Sequence, residues 1–295
     1  IRVAGLMKQL DLKLITSAPD SIPNEVILQQ ISETAHRAVE EQYKILNQTL
    51  LPELQNYGIR FIQFNDILER HHEWIKNYFF KQIQPVVTPI SLDPAHPFPR
   101  LVNKSLNFIV SLEGQDAFGR HIDLAIVPAP RSLPRVVRLP DELCPKGEQH
   151  YILLSAMIQY YVNDLFPGMT ATGCYQFRVT RNADLTLAAD VDDLAIALKD
   201  ELSSRRFGRA VRLEVDQKCP DKLNNYLLEQ FNLTQQELYR VNGPVNLTRF
   251  FIDFDIPELN FKPFQPAIPK ALRNQNLIFD VLKKDDVLLH HPFDS

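Results

Sequence analysis

Six arginines crowd one stretch of the chain: Arg178, Arg181, Arg205, Arg206, Arg209 and Arg212. Guanidinium groups are planar forks that match phosphate oxygens. A set like this suits a groove for a polyanion. It equally suits a salt-bridged sheet face or a subunit contact. Arg178, Arg181, Arg209 and Arg212 are therefore candidate polyanion or dimer contacts, and the residues alone leave both readings open. Glu214 and Asp216 lie two apart, so on a strand they share a face. There they form an acid–base pair or meet Arg178 and Arg212 across a sheet. Asp190, Asp192 and Asp193 have the composition of a metal cluster, but they fall where a helix starts and cap it more simply. His71 and His72 are adjacent, so on a helix they point in different directions. With Glu69 and Glu73 beside them, they still lack the HExxH spacing. No P-loop, no GxGxxG after a strand and no GxSxG elbow occurs. The motifs assign no catalytic, cofactor-binding or metal-binding residue.

The arginines need strands to hold them. In TGCYQFRVTRN (172–182), Tyr175, Phe177 and Val179 alternate with Gln176, Arg178 and Thr180, the period of a strand with one buried and one polar face. Val211, Leu213 and Val215 repeat the pattern, and a helix-like segment that starts at Asp190 lies between. This predicts a strand–helix–strand unit. Upstream, Phe108, Val110 and Leu112, then Ile122, Leu124 and Ile126, predict a β-hairpin. Residues 135–139 read as an edge strand between Pro134 and Pro140. Residues 151–153 read as extended and 154–165 as helix. The first third is different. Ile27, Ile31, Ala35, Ala38, Ile45 and Leu46 recur at helical spacing, with Pro52 as a kink or restart. Leu68, Ile75, Phe79 and Ile83 mark a second helix, capped by Asp66. After Val215, a helix begins near Pro220, Thr234–Glu237 is a capping box, and Asn242–Gly243–Pro244 is a stop. Residues 254–269 are too irregular for a helix. Residues 277–282 and 287–289 read as extended. The expected fold class is α+β: an N-terminal antiparallel helical hairpin, then a mixed α+β domain with a mainly antiparallel sheet.

Composition narrows the class. The 295 residues include 32 basic and 36 acidic side chains, a formal charge of −4. That balance gives no general reason to expect nucleic-acid binding. Cys144, Cys174 and Cys219 are too far apart for a zinc knuckle or a CxxC motif. Their sparse, odd number suits a reducing, cytoplasmic setting. No apolar run approaches the roughly 20 residues that span a bilayer. The sequence opens on Ile1 and closes on Ser295 just after a strand-like run, so both ends read as cut.

Four segments carry a resemblance. FRVTRNADL (Phe177–Leu185), GRAVRLEV (Gly208–Val215), HPFPRLVNKSLN (His96–Asn107) and VLLHHPFDS (Val287–Ser295), taken in that family's order, resemble the bacterial polyphosphate kinase 1 family over nearly the whole chain. The resemblance implies an ATP:polyphosphate phosphotransferase that moves the γ-phosphate of ATP reversibly onto inorganic polyphosphate through a phosphohistidine, with Mg²⁺. It implies a helical N-terminal domain at 1–104, with its start missing, a head domain at 105–284, and the first strand and turn of a catalytic domain at 285–295. The phosphorylated histidine is expected beyond Ser295, and the ATP-contacting asparagine before Ile1. His290 and His291 match an entry motif, not the nucleophile. The chain alone is expected to be inactive and to bind neither Mg²⁺ nor ATP by itself. Its expected role is self-association, as a dimer or higher, and part of the substrate channel, with Arg178, Arg209 and Arg212 at the channel wall or the subunit contact. Peripheral membrane association is left open for the longer parent alone. The alternative is a non-enzymatic protein-interaction module.

Overall fold

The strand Asn107–Gly114 (β3) is buried along both faces, and the architecture follows from that. Phe108, Ile109 and Val110 are consecutive and all fully buried, so apolar layers cover both sides of its sheet. In the computed structural model, residues 2–11, 22–63, 66–93, 95–116, 119–182, 208–250, 252, 254, 256–273 and 278–293 are described. They divide into two compact units, Ile1–Phe250 and Phe251–Ser295.

In the first unit, the strands before β3 are Ile59–Ile62 (β1) and Ile90–Leu92 (β2). Those after it are Leu124–Pro128 (β4), Val136–Arg138 (β5), Gln149–Leu153 (β6), Met169–Arg181 (β7), Ala210–Asp216 (β8) and Leu238–Val241 (β9). Six of them make one sheet in the order β2-β4-β3-β7-β8-β9. Its pairs are antiparallel except β8–β9, which is parallel. A smaller sheet has the order β1-β6-β5, and β5 sits at its edge as the flanking prolines require. The expected hairpin is β3–β4, in register Ile109↔Ile126. The strands β1 and β2 both precede residue 104. Each pairs at a sheet edge, where three or four residues suffice.

The two faces of the large sheet separate by parity. On one side, Ile109, Ile126, Phe177, Val179, Leu213 and Val215 pack against Leu223, Leu227 and Phe231 of the helix Asp221–Phe231. On the other, Phe108, Val110, Leu112, Ala125 and Val127 meet Ile75, Phe79, Ile83, Ile152 and Met157. The latter come from the helical region, from β6 and from the helix Leu154–Tyr160. Fully burying one such Phe or Ile is worth about 1.5–3 kcal/mol.

The N-terminal region is helical: Arg2–Asp11 (α1), Asn24–Ile45 (α2), Leu51–Asn56 (α3) and Glu69–Tyr78 (α4). Between α2 and α3 the rod continues as a π-turn over Leu46–Leu50, where the Leu51 N–H donates to the Leu46 carbonyl. A second π-turn, Phe79–Ile83, extends α4, and there the Gln84 N–H donates to Phe79. Each lies just before a proline, Pro52 and Pro85. A proline has no N–H to return to residue i−4, and the ladder widens by one residue before it. Pro52 thus falls in the first turn of α3, which begins directly after the π-turn. α4 begins after Leu68, not at Asp66, and Leu68 is half exposed. The Leu68 N–H donates to His71 Nδ1 at 3.2 Å, which closes the first turn.

The second unit is irregular between short turns. Ile278–Leu282, expected as extended, is a short helix, and 287–289 forms no strand. The Ala267 N–H donates to the Phe293 carbonyl at 2.8 Å, and Phe264 meets Phe293 edge to face. No described helix is long and apolar enough to cross a membrane.

Candidate functional site

The register of β7 against β8 decides which arginines meet. Arg178 lies directly opposite Glu214, and Thr180 opposite Arg212. Arg178, Glu214 and Arg212 therefore share a face, the one turned away from Phe177 and Val179. The register then slips, so that Arg181 pairs with Ala210. Val211 is the extra residue, and Ala210 takes the core position that alternation assigns to Val211.

Glu214 is 7% exposed in its side chain and accepts from both arginines: Arg178 Nε reaches Oε2, and Arg212 Nη2 reaches Oε1. A carboxylate so buried needs paired charge and full hydrogen bonding. Arg178 also donates from Nη1 to Asn246 Oδ1 at 2.6 Å, and Thr248 Oγ1 donates to the same oxygen at 2.7 Å. Asn246 reaches this place through a left-handed backbone, φ 73°, which asparagine tolerates. The Arg212 guanidinium stacks over the Tyr239 ring at 4.0 Å, and His36 stacks on that ring at 4.0 Å with its planes 14° apart. Both cannot occupy one side, so Tyr239 is held between them. Two guanidinium groups thus face one carboxylate, and the cluster keeps net positive charge. Arg212 Nε is buried and has no partner.

The polar face that alternation assigns to β7 is covered by α2. His36 Nε2 lies 2.9 Å from the Leu238 carbonyl, the Tyr43 hydroxyl donates to the Pro244 carbonyl at 2.8 Å, and Asn47 Nδ2 donates to the Asn242 carbonyl at 2.7 Å. Burial pushes the Tyr43 phenol up, with the Glu214 charge adding to it. The seated stripe of α2 is Ser32, His36, Val39, Tyr43 and Leu46, rotated from the expected one, and Ile45 is exposed. Ala35 and Ala38 are small, and a cavity of about 420 Å³ opens between them and Arg178, Glu214, Asn246 and Thr248.

Arg181 and Arg209 lie elsewhere. Arg181 Nη1 donates to the Gly208 carbonyl at 3.1 Å, its guanidinium lies 5.4 Å from the Phe231 ring on the opposite face, and its Nε is buried without a partner. Arg209 is exposed at the start of β8, and its carbonyl accepts from the Asn182 N–H at 2.8 Å. Arg205, Arg206 and the acids Asp190, Asp192 and Asp193 lie outside the described residues, as does the helix expected with them. Asp216 does not join the arginines. It accepts from the Lys218 N–H at 2.9 Å, and burial raises its carboxyl. His71 is buried, whereas His72 Nε2 lies 3.2 Å from the Tyr160 hydroxyl. The three cysteines are free thiols, and burial pushes Cys219 up to about 12. Among the described residues, no three His, Cys, Asp or Glu side chains gather as a metal site requires. His290 and His291 are exposed in the second unit. Sequence reasoning missed Tyr43, Tyr239 and Asn246. The only local signal is the Asn242–Gly243–Pro244 turn that presents Asn246.

Known proteins are similar to the chain in sequence and fold. The family model of the polyphosphate kinase middle domain matches residues 70–252, and that of the polyphosphate kinase N-terminal domain matches residues 1–62. Polyphosphate kinases of Pseudomonas syringae pv. tomato and Pseudomonas aeruginosa are each 54% identical over the whole chain, which spans 40% and 43% of their lengths. That of Xylella fastidiosa is 44% identical, with 42% of its length spanned. The crystal structure of polyphosphate kinase from Porphyromonas gingivalis superposes with a TM-score of 0.74 over the whole chain and 41% of its own, at 23% identity, which establishes the fold. The chain thus spans about two fifths of the relatives it matches. On the two family models and the end-to-end identity, it belongs to the polyphosphate kinase family.

Proposed function

We propose that this chain is the supporting, non-catalytic part of a polyphosphate kinase. The parent reaction is reversible transfer of the ATP γ-phosphate to inorganic polyphosphate through a phosphohistidine. Phosphoryl transfer of this kind rests on positioning and on cations that offset charge on the transferring oxygens. The histidine, and the residues that would hold Mg²⁺ and ATP, are assigned to the part of the relatives that this chain does not span. What this chain supplies is a scaffold that self-associates and flanks the polyanion path in a cytoplasmic enzyme. The observation that carries the reading is the end-to-end match to polyphosphate kinases. It is supported by the net-positive Arg178–Glu214–Arg212 cluster beneath α2. Arg178 and Arg212 line its cavity.

The test is ATP-dependent polyphosphate formation by the purified 295-residue chain with Mg²⁺ present. The expected result is no synthesis above buffer, together with a self-associated species by light scattering. Clear turnover would overturn the assignment of catalysis to other residues. A strictly monomeric chain would overturn the self-association role.

A further inference from the structure

The contact between α2 and β9 turns on one imidazole. Both ring nitrogens of His36 sit on backbone carbonyl oxygens: Nδ1 lies 2.8 Å from that of Ser32, one turn back, and Nε2 lies 2.9 Å from that of Leu238. A carbonyl only accepts, so each nitrogen must carry a hydrogen to bond there. Neutral imidazole has one N–H, and only the imidazolium has two. The neighbouring hydroxyl does not remove the difficulty. Ser32 Oγ is 3.3 Å from Nδ1, but its hydrogen goes to the Gln236 carbonyl at 2.8 Å. With the proton on Nδ1 alone, the Nε2 lone pair meets the Leu238 oxygen. With it on Nε2 alone, the Nδ1 lone pair meets the Ser32 oxygen, or else the hydroxyl turns to Nδ1 and leaves Gln236. Either neutral form therefore loses a bond across the contact or sets a lone pair against a carbonyl oxygen.

The flat of the ring suits the charged form as well. His36 stacks on Tyr239 at 4.0 Å, and the Arg212 guanidinium covers the other side of that ring. A cation on an aromatic face is favourable. The charges around the imidazole are of both signs. Within α2, Glu33, Arg37 and Glu40 lie within four residues of His36 and are exposed. α1 is tied to the start of α2 by Asn24 Nδ2, which donates to Gln9 Oε1 at 3.0 Å, and carries Arg2 and Lys8. The turn Gln235–Glu237 brings Glu237, whose carboxylate accepts from Thr234 N and Oγ1. β9 brings Arg240, which pairs with Asp221, and the Tyr239 phenol, which burial raises. From β8 come Arg212, beyond the Tyr239 ring, and Glu214, with which it pairs. None of these carboxylates bonds the imidazole; its bonds go to the two carbonyls. We propose that His36 is a proton-operated clasp: its imidazolium holds α2 against β9, and loss of one ring proton loosens that seat. The seated form then holds one more proton than the loosened form. The seat is firm in mildly acid solution and weakens as pH rises through the histidine range. Ala35 and Ala38 of α2 line the cavity with Arg178 and Glu214, so the same proton governs how far that cavity is covered. The inference concerns the docking of α2 alone. No phosphate enters its test, so it stands or fails apart from the kinase reading.

The experiment uses the 295-residue chain. Amide hydrogen exchange is followed by mass spectrometry in peptides from α2 and, as a reference, from β3. It is run at about pH 6 and about pH 8.5 and corrected for the intrinsic pH dependence of exchange. In parallel, long-range ¹H–¹⁵N NMR of the histidine-labelled chain reads how many ring nitrogens of His36 are protonated, the signal being the one missing from His36→Gln. Opening of α2 is expected to be on the order of tenfold more frequent at the higher pH, the worth of about one hydrogen bond to a charged group. β3 is expected to keep its protection. The His36 signal is expected to pass from two protonated nitrogens to one over the same interval. In His36→Gln, whose amide does not titrate, α2 is expected to open equally at both pH values. Equal opening of α2 at both pH values in the wild type would overturn the proposal, and that reading needs no variant. So would an undiminished pH dependence in His36→Gln, or a singly protonated imidazole at the lower pH with α2 still protected.

Discussion

Replacing Glu214 by Gln removes one negative charge and almost no volume, so it isolates electrostatics from packing. The carboxylate is 7% exposed, and its two partners, Arg178 and Arg212, are 13% and 29% exposed. Removing one member of a buried ion pair costs about 3–5 kcal/mol because the remaining charge stays buried. Water reaches part of Arg212 and screens its share, which puts Glu214→Gln nearer about 2–3 kcal/mol. For a chain of this size about 2–4 °C is lost per kcal/mol, so Tm is expected to fall by about 4–12 °C. Urea unfolding followed by far-UV circular dichroism should show the midpoint drop with an unchanged m-value. Arg178→Met alone should also destabilise. Combined with Glu214→Gln it should cost less than the sum, since each change removes what the other leaves unpaired. Tripolyphosphate should stabilise Glu214→Gln more than wild type, because two guanidinium groups then face the cavity unopposed. A Tm shift under 1 °C, or strict additivity in the cycle, would show that Glu214 does not hold the arginines in place.

Two further perturbations test the seat of α2 and the acid response. Gly243 has φ 150°, and a Cβ there would sit 3.2 Å from the Tyr43 ring. Gly243→Ala is expected to lose about 1–3 kcal/mol in urea unfolding and to expose α2 to limited proteolysis, whereas a wild-type digestion pattern would refute the contact. His71 titrates low in the folded state, first through burial and then through the charge of Arg70. The unfolded chain, with its histidine near 6.5, therefore binds more protons in the acid range. Stability is full above that value and falls as pH drops toward the folded value. Urea midpoints at pH 7.5 and pH 5 should differ less in His71→Gln than in wild type, and equal differences would rule His71 out as the source.

The long, locally patterned elements were legible. β3, β4 and β7 show alternation over several residues, and the parity of Phe177 and Val179 against Arg178 matches the faces on which they lie. The capping box also formed: Thr234 donates from N and Oγ1 to Glu237 Oε2 at 2.8 and 2.7 Å. The pairing of Glu214 with Arg178 and Arg212 was one of two options open from sequence, and the register selects it. What stayed hidden is non-local. Alternation says that Gln176 and Arg178 share a face, but not that α2 lies over Arg178 while Gln159 and the Val245 N–H meet Gln176, which is buried. β9 has four residues and takes its identity from β8 beside it. The Val211 bulge breaks a period that the sequence shows as regular. Leu277–Leu282 has apolar residues that fit strand or helix equally, since so short a run shows too little of either period.

The seat of α2 also has a consequence in time. Ser32, His36, Tyr43 and Asn47 bind residues 236–244, about two hundred positions downstream. At a synthesis rate of about 5–20 residues per second, α2 leaves the ribosome roughly 10–40 seconds before its partner segment exists. The β8–helix–β9 unit closes within one short stretch and is ready as soon as it emerges, because local contacts form first. This helix is therefore made well before its partner and is among the last elements to dock, and its seated stripe is open throughout the interval. In this fold α2 works as a latch on a finished sheet, not as a nucleus for it.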